Sequence, residues 1–254
     1  MRTVSVSGVR IAYVAAGAGA PTVCFVHGTG GSGQVWMHQL EGLADLGHIV
    51  ALDLPGHGRS GGNIPKGIDD AAAVVADFLD ALGIARVVIG GHSMGGAIAQ
   101  QLALSHPERV AGVILIGTGA RLRVLPRLID LLATDYSRGV DLLMSLGVGA
   151  KAPAELKTAL HRSTADNAAG VVLGDLQACD RFDVMSGIST VHAPTLVICG
   201  DEDQLTPPKY SRFLGEHIAG ASVAVIPGAG HYVQVEKPRE TTAAIRDFLA
   251  RLGR

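Results

Sequence analysis

The sequence predicts a doubly wound α/β domain, a mostly parallel sheet with helices on both faces. Three features of the chain support this fold class: short β-branched runs alternate with helical patterns, most of the runs are apolar at nearly every position, and Gly-rich turns follow several of them. Continuous apolar runs are typical of strands that a parallel sheet buries on both faces. Regular alternation of strand and helix is typical of β-α-β units.

Eight strands are expected, and the first two differ from the rest. Residues 3–7 and 10–16 flank Gly8 and predict an antiparallel hairpin. The other six are the apolar runs, and we expect all six to be buried on both faces, at residues 22–26, 48–52, 86–89, 113–116, 194–199 and 222–226. Apolar residues at helical spacing predict helices over residues 34–46, 68–82, 95–105, 209–218 and 239–252.

Residues 121–190 interrupt this alternation, because they contain no strand pattern. Leucines recur at helical spacing, and Pro126, Pro153 and several glycines punctuate the segment. We interpret the segment as a helical insertion on one side of the sheet. An insertion that follows the carboxyl end of a strand is well placed to cover a binding site.

Composition and charge exclude several classes of function. The 254 residues carry 21 basic and 23 acidic side chains, and only 4% are aromatic, so neither nucleic acid nor a membrane surface is an expected partner. No uncharged apolar stretch reaches the ~20 residues that span a bilayer, and the N-terminus lacks the apolar run of a signal peptide. The three widely spaced cysteines predict buried, reduced thiols in a cytoplasmic protein.

A candidate nucleophile lies in the sequence Gly91-His92-Ser93-Met94-Gly95, between a predicted strand and a predicted helix. A serine on such a tight turn has a strained backbone, so the positions two before and two after it must be small, and both are Gly here. The turn directs the hydroxyl outward at the carboxyl edge of the sheet. The N-terminal dipole of the following helix favours developing negative charge there.

A nucleophilic serine needs a base, and the base needs a carboxylate partner. His231 is the best candidate among ten histidines, because it follows the last strand in a Gly-rich turn. His57 also lies in a turn but precedes the serine, and His92 is interpreted as a supporting neighbour. The residues alone leave three acids open as the partner of the base, all directly after the strand that ends at residue 199: Asp201, Glu202 and Asp203.

Two backbone N–H groups are expected to bind the oxyanion that forms during attack. The Met94 N–H lies at the start of the helix after the nucleophile. A second donor must come from the glycine loop (residues 27–33), whose glycines allow the backbone to approach a substrate closely. This loop has no Lys and lacks the glycine spacing of dinucleotide-binding loops, so nucleotide binding is disfavoured.

Taken together, these residues resemble the α/β-hydrolase superfamily. The resemblance extends along the whole chain and includes the His27-Gly28 dipeptide, the turn Asp-Leu-Pro-Gly-His-Gly-Arg-Ser at residues 53–60, the Ser93 turn and the order Ser, acid, His. It implies an eight-stranded α/β-hydrolase fold with a helical cap, or lid, over residues 121–190. The core domain then comprises residues 1–120 and 191–254.

The resemblance also implies roles for particular residues. Asp203 matches the position of the family's acid, and Thr29 that of the second oxyanion donor. Ser93 is then expected to attack a small, largely apolar carboxylic ester while His231 carries the proton and Asp203 orients His231, as in a carboxylesterase. No metal or organic cofactor is implied.

Three other reactions on the same residues remain alternatives: enol-lactone hydrolysis, C–C bond hydrolysis, and cofactor-free haloperoxidase or perhydrolase chemistry. The first two predict a charged anchor for a substrate carboxylate. Arginines of the inserted segment are candidates for that anchor: Arg121, Arg123, Arg127, Arg138 and Arg181.

Overall fold

The structure, a computed structural model, describes residues 1–252 and contains an eight-stranded sheet. The strands in chain order are β1 (Arg2–Val6), β2 (Val9–Ala16), β3 (Thr22–Val26), β4 (His48–Leu52), β5 (Val87–His92), β6 (Val110–Ile116), β7 (Thr195–Gly200) and β8 (Ser222–Ile226). Across the sheet the order is β1-β2-β4-β3-β5-β6-β7-β8. β1 and β2 form the predicted hairpin, β2 is antiparallel to β4, and the pairs from β4 to β8 are parallel. This arrangement confirms the predicted fold class.

The prediction that six strands are buried on both faces is wrong for β8. Val223 and Val225 are 39% and 43% exposed and alternate with less exposed residues. β8 is an edge strand of the described sheet, so neighbouring elements cover these two side chains only in part. Its apolar sequence therefore resembles that of a buried strand, although one of its faces is partly open to solvent.

Helices cover both faces of the sheet, as predicted. One face packs against α2 (Ile68–Ala81), α3 (Met94–Ser105) and α8 (Pro208–His217). The other face packs against α1 (Met37–Leu43), α9 (Val233–Glu236) and α10 (Pro238–Leu252). The carboxyl ends of β3, β5, β7 and β8 consequently open onto a common edge, where the predicted site residues lie.

Four helices form the inserted segment: α4 (Pro126–Thr134), α5 (Tyr136–Gly147), α6 (Ala154–Ala165) and α7 (Ala169–Arg181). They share an apolar cluster that is separate from the two clusters on the sheet, formed by Leu128, Leu132, Val140, Leu143, Met144, Val172 and Leu176. The division into a core of residues 1–120 and 191–254 and a cap of residues 121–190 stays a prediction. Residues 253–254 of that core lie outside the described residues.

Trp36 anchors the chain just after the glycine loop. It ends a short 3-10 helix, Gly33–Trp36, and its fully buried ring stacks on Phe25 of β3 with 4.5 Å between ring centroids. The three cysteines are buried free thiols, as predicted, and burial raises the pKa of Cys24 and Cys179 to about 12. Within residues 1–252, no helix has the length and apolar character needed to cross a membrane.

We expect Trp36→Ala to lower the free energy of unfolding by about 3–5 kcal/mol, because it leaves a large cavity beside Phe25. Urea denaturation measures this loss. The neighbouring Met37→Ala is the matched control, since Met37 is 41% exposed and its loss should change stability by about 0.5 kcal/mol or less. Equal losses in the two variants would contradict the packing role of Trp36.

Candidate active site

Ser93 lies between β5 and α3 with a backbone φ of +53°. A residue with a β-carbon rarely adopts this left-handed region, and doing so costs about 1–3 kcal/mol, so the surrounding structure must hold it. The Ser93 N–H donates to the Ile116 carbonyl at 2.9 Å. The Ser93 carbonyl accepts a hydrogen bond from Thr118 Oγ1 at 2.9 Å. The end of β6 thus fixes the turn from both sides.

The two glycines around Ser93 are required by close backbone contacts. A β-carbon on Gly91 would overlap the Gly95 carbonyl, and one on Gly95 would overlap the Val26 carbonyl of β3. Any side chain at either position would separate α3 from the sheet. These contacts explain why the positions two before and two after Ser93 must be small, as the sequence predicts.

His231 lies in the loop after β8, and three other parts of the chain hold it. Its Nδ1 is 2.9 Å from Oδ2 of Asp203 and 3.2 Å from Oγ1 of Thr206. The backbone N–H of His231 donates to the Gly147 carbonyl, at the end of α5, at 2.7 Å. The backbone carbonyl of His231 accepts from Nε2 of His92 at 3.0 Å. Because the Asp203 carboxylate accepts, Nδ1 carries the hydrogen and Nε2 is left as the basic nitrogen.

Asp203 is a buried carboxylate with four hydrogen-bond donors around it. Besides His231, the N–H groups of Leu205 and Thr206 donate to Oδ1 at 2.9 and 2.8 Å, and the Thr206 hydroxyl donates to Oδ2 at 2.8 Å. Burial on its own would raise the pKa of Asp203. The charge and hydrogen bond of His231, together with the bonds from Thr206, outweigh that effect and hold the pKa below its usual value. The group is therefore ionised at neutral pH.

The other two acids after β7 have different partners. Asp201 Oδ1 accepts from the Gly228 N–H at 2.7 Å, and Glu202 Oε2 accepts from the Ala150 N–H at 2.9 Å. Of the three acids that the residues alone left open, Asp203 is the one that contacts His231.

His92 supports the loop of His231 from within the core. It is 2% exposed, and burial, with the nearby charge of His231, lowers its pKa to about 3. The ring is therefore neutral and donates through Nε2 to the His231 carbonyl. This contact matches the interpretation of His92 as a supporting residue.

The glycine loop packs directly on the Ser93 turn. A β-carbon on Gly28 would lie 2.8 Å from Nδ1 of His92 and 3.2 Å from Cβ of Ser93. Among the described residues, the Thr29 N–H has no backbone acceptor. The Met94 N–H is the first of α3, so it has no acceptor within the helix. Within residues 1–252, neither predicted oxyanion donor therefore has a backbone acceptor.

A buried aspartate holds the far end of the glycine loop. Asp53, 1% exposed, accepts from the Gly33 N–H at 2.7 Å and from the Arg59 N–H at 2.8 Å. The Ser60 hydroxyl donates to the Asp53 carbonyl at 2.6 Å and accepts from the Ala12 N–H at 2.9 Å. The turn at residues 53–60 therefore ties the loop to β2 and β4.

Ser93 and His231 line the same cavity, which has a volume of about 90 Å³. Helices of the inserted segment cover it, and its wall is mainly apolar: Leu122, Val124, Leu125, Leu128, Leu143, Leu176, Cys179 and Leu205. Thr29, Gln204, Thr206 and Tyr232 are the uncharged polar residues that also line it. Of the five candidate arginine anchors, Arg123 is the one that lines this cavity within residues 1–252.

Sequence reasoning missed two acids that shape the site. Glu236 accepts from the N–H groups of Gly149, Gly230 and Tyr232 at 3.0–3.1 Å and so braces the loop of His231. Asp175 of α7 is 3% exposed and accepts from the Gly30 N–H at 2.9 Å. A signal for Asp175 existed, since an acid occupies the apolar stripe of a helix.

Residues 25–245 match the model of the alpha/beta hydrolase family, and the chain belongs to that family. Among curated proteins, the dihydrolipoyllysine-residue acetyltransferase component of the acetoin cleaving system of Cupriavidus necator is 33% identical over 96% of this chain and 67% of its own length. This chain therefore spans about two thirds of that relative.

Two solved structures are similar over nearly their whole length. A structure described as a thermophilic esterase is 35% identical, with a TM-score of 0.89, and the match covers 99% of this chain and 98% of that one. Est816, described as an N-acyl homoserine lactone degrading enzyme, is 30% identical, with a TM-score of 0.87 and coverage of 97% and 100%. The chain is thus a member of a hydrolase family with esterase-like relatives.

We expect Asp203→Asn to lower the free energy of unfolding near pH 7 by about 2 kcal/mol, because hydrogen bonds to a charged group contribute about 1.5–3 kcal/mol. The folded-state pKa lies below the ordinary value of 3.8, so this stability is present above pH 3.8 and is lost as pH falls through the folded pKa. Urea denaturation of wild type and Asp203→Asn between pH 7 and pH 3 should show that the difference in their free energies of unfolding becomes smaller as pH falls. A difference that does not change with pH would contradict a stabilising role of the ionised carboxylate.

Proposed function

We propose that this chain is a serine hydrolase of small, largely apolar carboxylic esters, acting through Ser93, His231 and Asp203. One observation carries the proposal: Ser93, on a turn with positive φ, lines the same apolar cavity as His231, whose Nδ1 is bonded to a buried carboxylate. A nucleophile, an oriented base and an ionised orienting acid are the groups that acyl transfer requires.

The reaction proceeds in two halves. Ser93 Oγ attacks the ester carbonyl as Nε2 of His231 takes the hydroxyl proton, and Asp203 stabilises the imidazolium. The N–H groups of Thr29 and Met94 bind the oxyanion, each contributing about 10²–10³ in rate. His231 returns the proton to the leaving alcohol, and an ester bond to Ser93 remains. Water then attacks this acyl-enzyme with the same base, which releases the acid and regenerates the serine.

The neutral state of His92 suits this chemistry. Its ring centroid is 4.7 Å from that of His231, where a second positive charge would oppose formation of the imidazolium. Since His92 is uncharged and donates to the His231 backbone, it supports the base without repelling its protonated form.

The cavity favours an uncharged, apolar substrate. Six of the residues that line it are leucines, and Leu125, 54% exposed, contributes apolar surface at the rim. The guanidinium of Arg123 already donates to the Asp180 carbonyl at 2.8 Å and lies 3.9 Å from Asp183. This engagement argues against a carboxylate anchor, which C–C bond or enol-lactone hydrolysis would use. The esterase and lactone-degrading relatives support cleavage of an ester bond.

We expect Ser93→Ala to reduce hydrolysis of p-nitrophenyl esters, from acetate to decanoate, by at least about 10³-fold, because it removes the nucleophile. Ser105→Ala, at the other end of α3, is the control and should retain activity. Wild type should also form one covalent adduct with a serine-directed organophosphate, which peptide mass spectrometry places on Ser93. Activity that survives in Ser93→Ala, or an unlabelled Ser93, would contradict the proposal.

We expect Leu128→Ala to shift the preferred acyl chain to a longer one, because it enlarges a buried part of the cavity wall. The chain-length series with p-nitrophenyl esters measures the shift. Leu125→Ala serves as the control at the exposed rim and should leave the optimum within one step of the series. An unchanged optimum in Leu128→Ala would show that the acyl chain does not extend to Leu128.

A further inference from the structure

A second buried His–Asp pair lies outside the residues that carry the proposed reaction. His57, in the turn after β4, is 2.8 Å from Asp175 of α7, and their side chains are 0% and 3% exposed. Burying two charged groups is costly, and such pairs are often no more stabilising than apolar residues of the same volume. The pair therefore needs an explanation other than stability.

The same carboxylate oxygen holds the glycine loop. Oδ2 of Asp175 accepts from both Nε2 of His57 and the N–H of Gly30, the latter at 2.9 Å. Nδ2 of Asn167, just before α7, donates to the Gly30 carbonyl at 2.8 Å. Both backbone polar groups of Gly30 are thus bound by the inserted segment. Gly30 directly follows Thr29, whose N–H is the proposed oxyanion donor.

Only glycine fits at this contact. Gly30 has a φ of +59°, and a β-carbon there would lie 2.9 Å from Cγ2 of Val172 on α7. The loop and α7 therefore approach each other as closely as backbone and side chain allow. A shift of α7 would displace Gly30 and with it the Thr29 N–H.

The contacts of His57 define its charge. Its Nδ1 is 3.0 Å from the Pro55 carbonyl and its Nε2 faces Asp175, so both ring nitrogens meet acceptors and both carry hydrogen. The other ionisable groups that face it are Asp53 of its own turn and His27 of the glycine loop, whose ring centroid is 4.9 Å away. His27 is neutral, because its Nε2 accepts from the Leu54 N–H.

The titration of His57 agrees with these contacts. Burial lowers its pKa, but the hydrogen bond and charge of Asp175, with smaller contributions from the Pro55 carbonyl and Asp53, raise it above 6.5 overall. The ion pair is therefore present below pH 6.5 and is lost as pH rises through the folded-state pKa of His57.

We infer that the His57–Asp175 ion pair positions the glycine loop, fixing the Thr29 N–H through Gly30 and coupling α7 to the reacting centre. The inference rests on the proposed ester hydrolysis. Oxyanion donors act only when they lie within a few tenths of an ångström of the developing charge. The ion pair, bound to the residue next to Thr29, supplies that placement, and neither His57 nor Asp175 is among the described residues that line the cavity.

Asp175→Asn and His57→Gln test this role with p-nitrophenyl butyrate. Each should lower kcat by about 10- to 100-fold with KM within about threefold, because a misplaced donor affects the transition state more than binding. Asp141→Asn is the matched control, since Asp141 and His161 form an exposed pair at the same 2.8 Å, and neither side chain has a hydrogen bond to the glycine loop among the described residues. It should retain activity within about twofold.

The pH profile separates positioning from packing. Wild-type kcat should fall as pH rises through the pKa of His57. In the double variant His57→Gln/Asp175→Asn, a neutral amide pair replaces the ion pair, so this alkaline fall should be absent. An alkaline fall that persists unchanged in the double variant would overturn the inference.

Hydrogen exchange supplies a readout that does not depend on the substrate. Backbone amides of residues 28–35 should exchange at least about threefold faster in Asp175→Asn than in wild type or Asp141→Asn at the same pH. Wild-type exchange with wild-type kcat in Asp175→Asn would overturn the inference. A wild type without Ser93-dependent ester hydrolysis would contradict the proposed function alone, and the exchange rates would still decide the role of the pair.

Discussion

The positive φ of Ser93 depends on the close approach of three backbone segments, the ends of β3 and β5 and the start of α3, with no side chain between them. Gly91 and Gly95 allow α3 to begin against the ends of β3 and β5, and a β-carbon on either would overlap a carbonyl group. This close approach brings the glycine loop after β3 onto the Ser93 turn. Ser93, directly before α3, lies in the wall of the active-site cavity. The strain at one residue is thus retained by the packing of the parallel sheet, and the rest of the site is arranged around it.

Buried histidines occur here in two charge states, and hydrogen-bond partners decide between them. His27 donates through Nδ1 to the Gly28 carbonyl and accepts from Leu54, so burial lowers its pKa to about 3 and it stays neutral. His92 is also neutral, because burial and the nearby charge of His231 lower its pKa to about 3. His57 has acceptors at both nitrogens and is charged. The neutral ring of His92 beside His231 adds no second positive charge next to the base, and the charged ring of His57 binds Asp175, which also binds the glycine loop.

The sequence predicts the parts of the fold that depend on local pattern. The parallel strands, their helices and the Ser93 turn follow from apolar runs and glycine spacing. The burial of β8 could not be predicted in this way, because Val223 and Val225 fit an inner strand as well as an edge strand, and only the strand order distinguishes the two. The partner of His231 stayed open among three adjacent acids until a family resemblance indicated Asp203. Asp175 was missed because its partners are 118 and 145 residues away in the chain.

The most direct test of this account is a crystal structure of the adduct formed by diethyl p-nitrophenyl phosphate. The account predicts a diethylphosphoryl group on Oγ of Ser93, with its phosphoryl oxygen about 2.7–3.1 Å from the N–H groups of both Thr29 and Met94. The ethyl groups would lie against the leucines of the cavity. An adduct on another residue, or a phosphoryl oxygen that contacts neither N–H, would contradict the proposed acyl transfer.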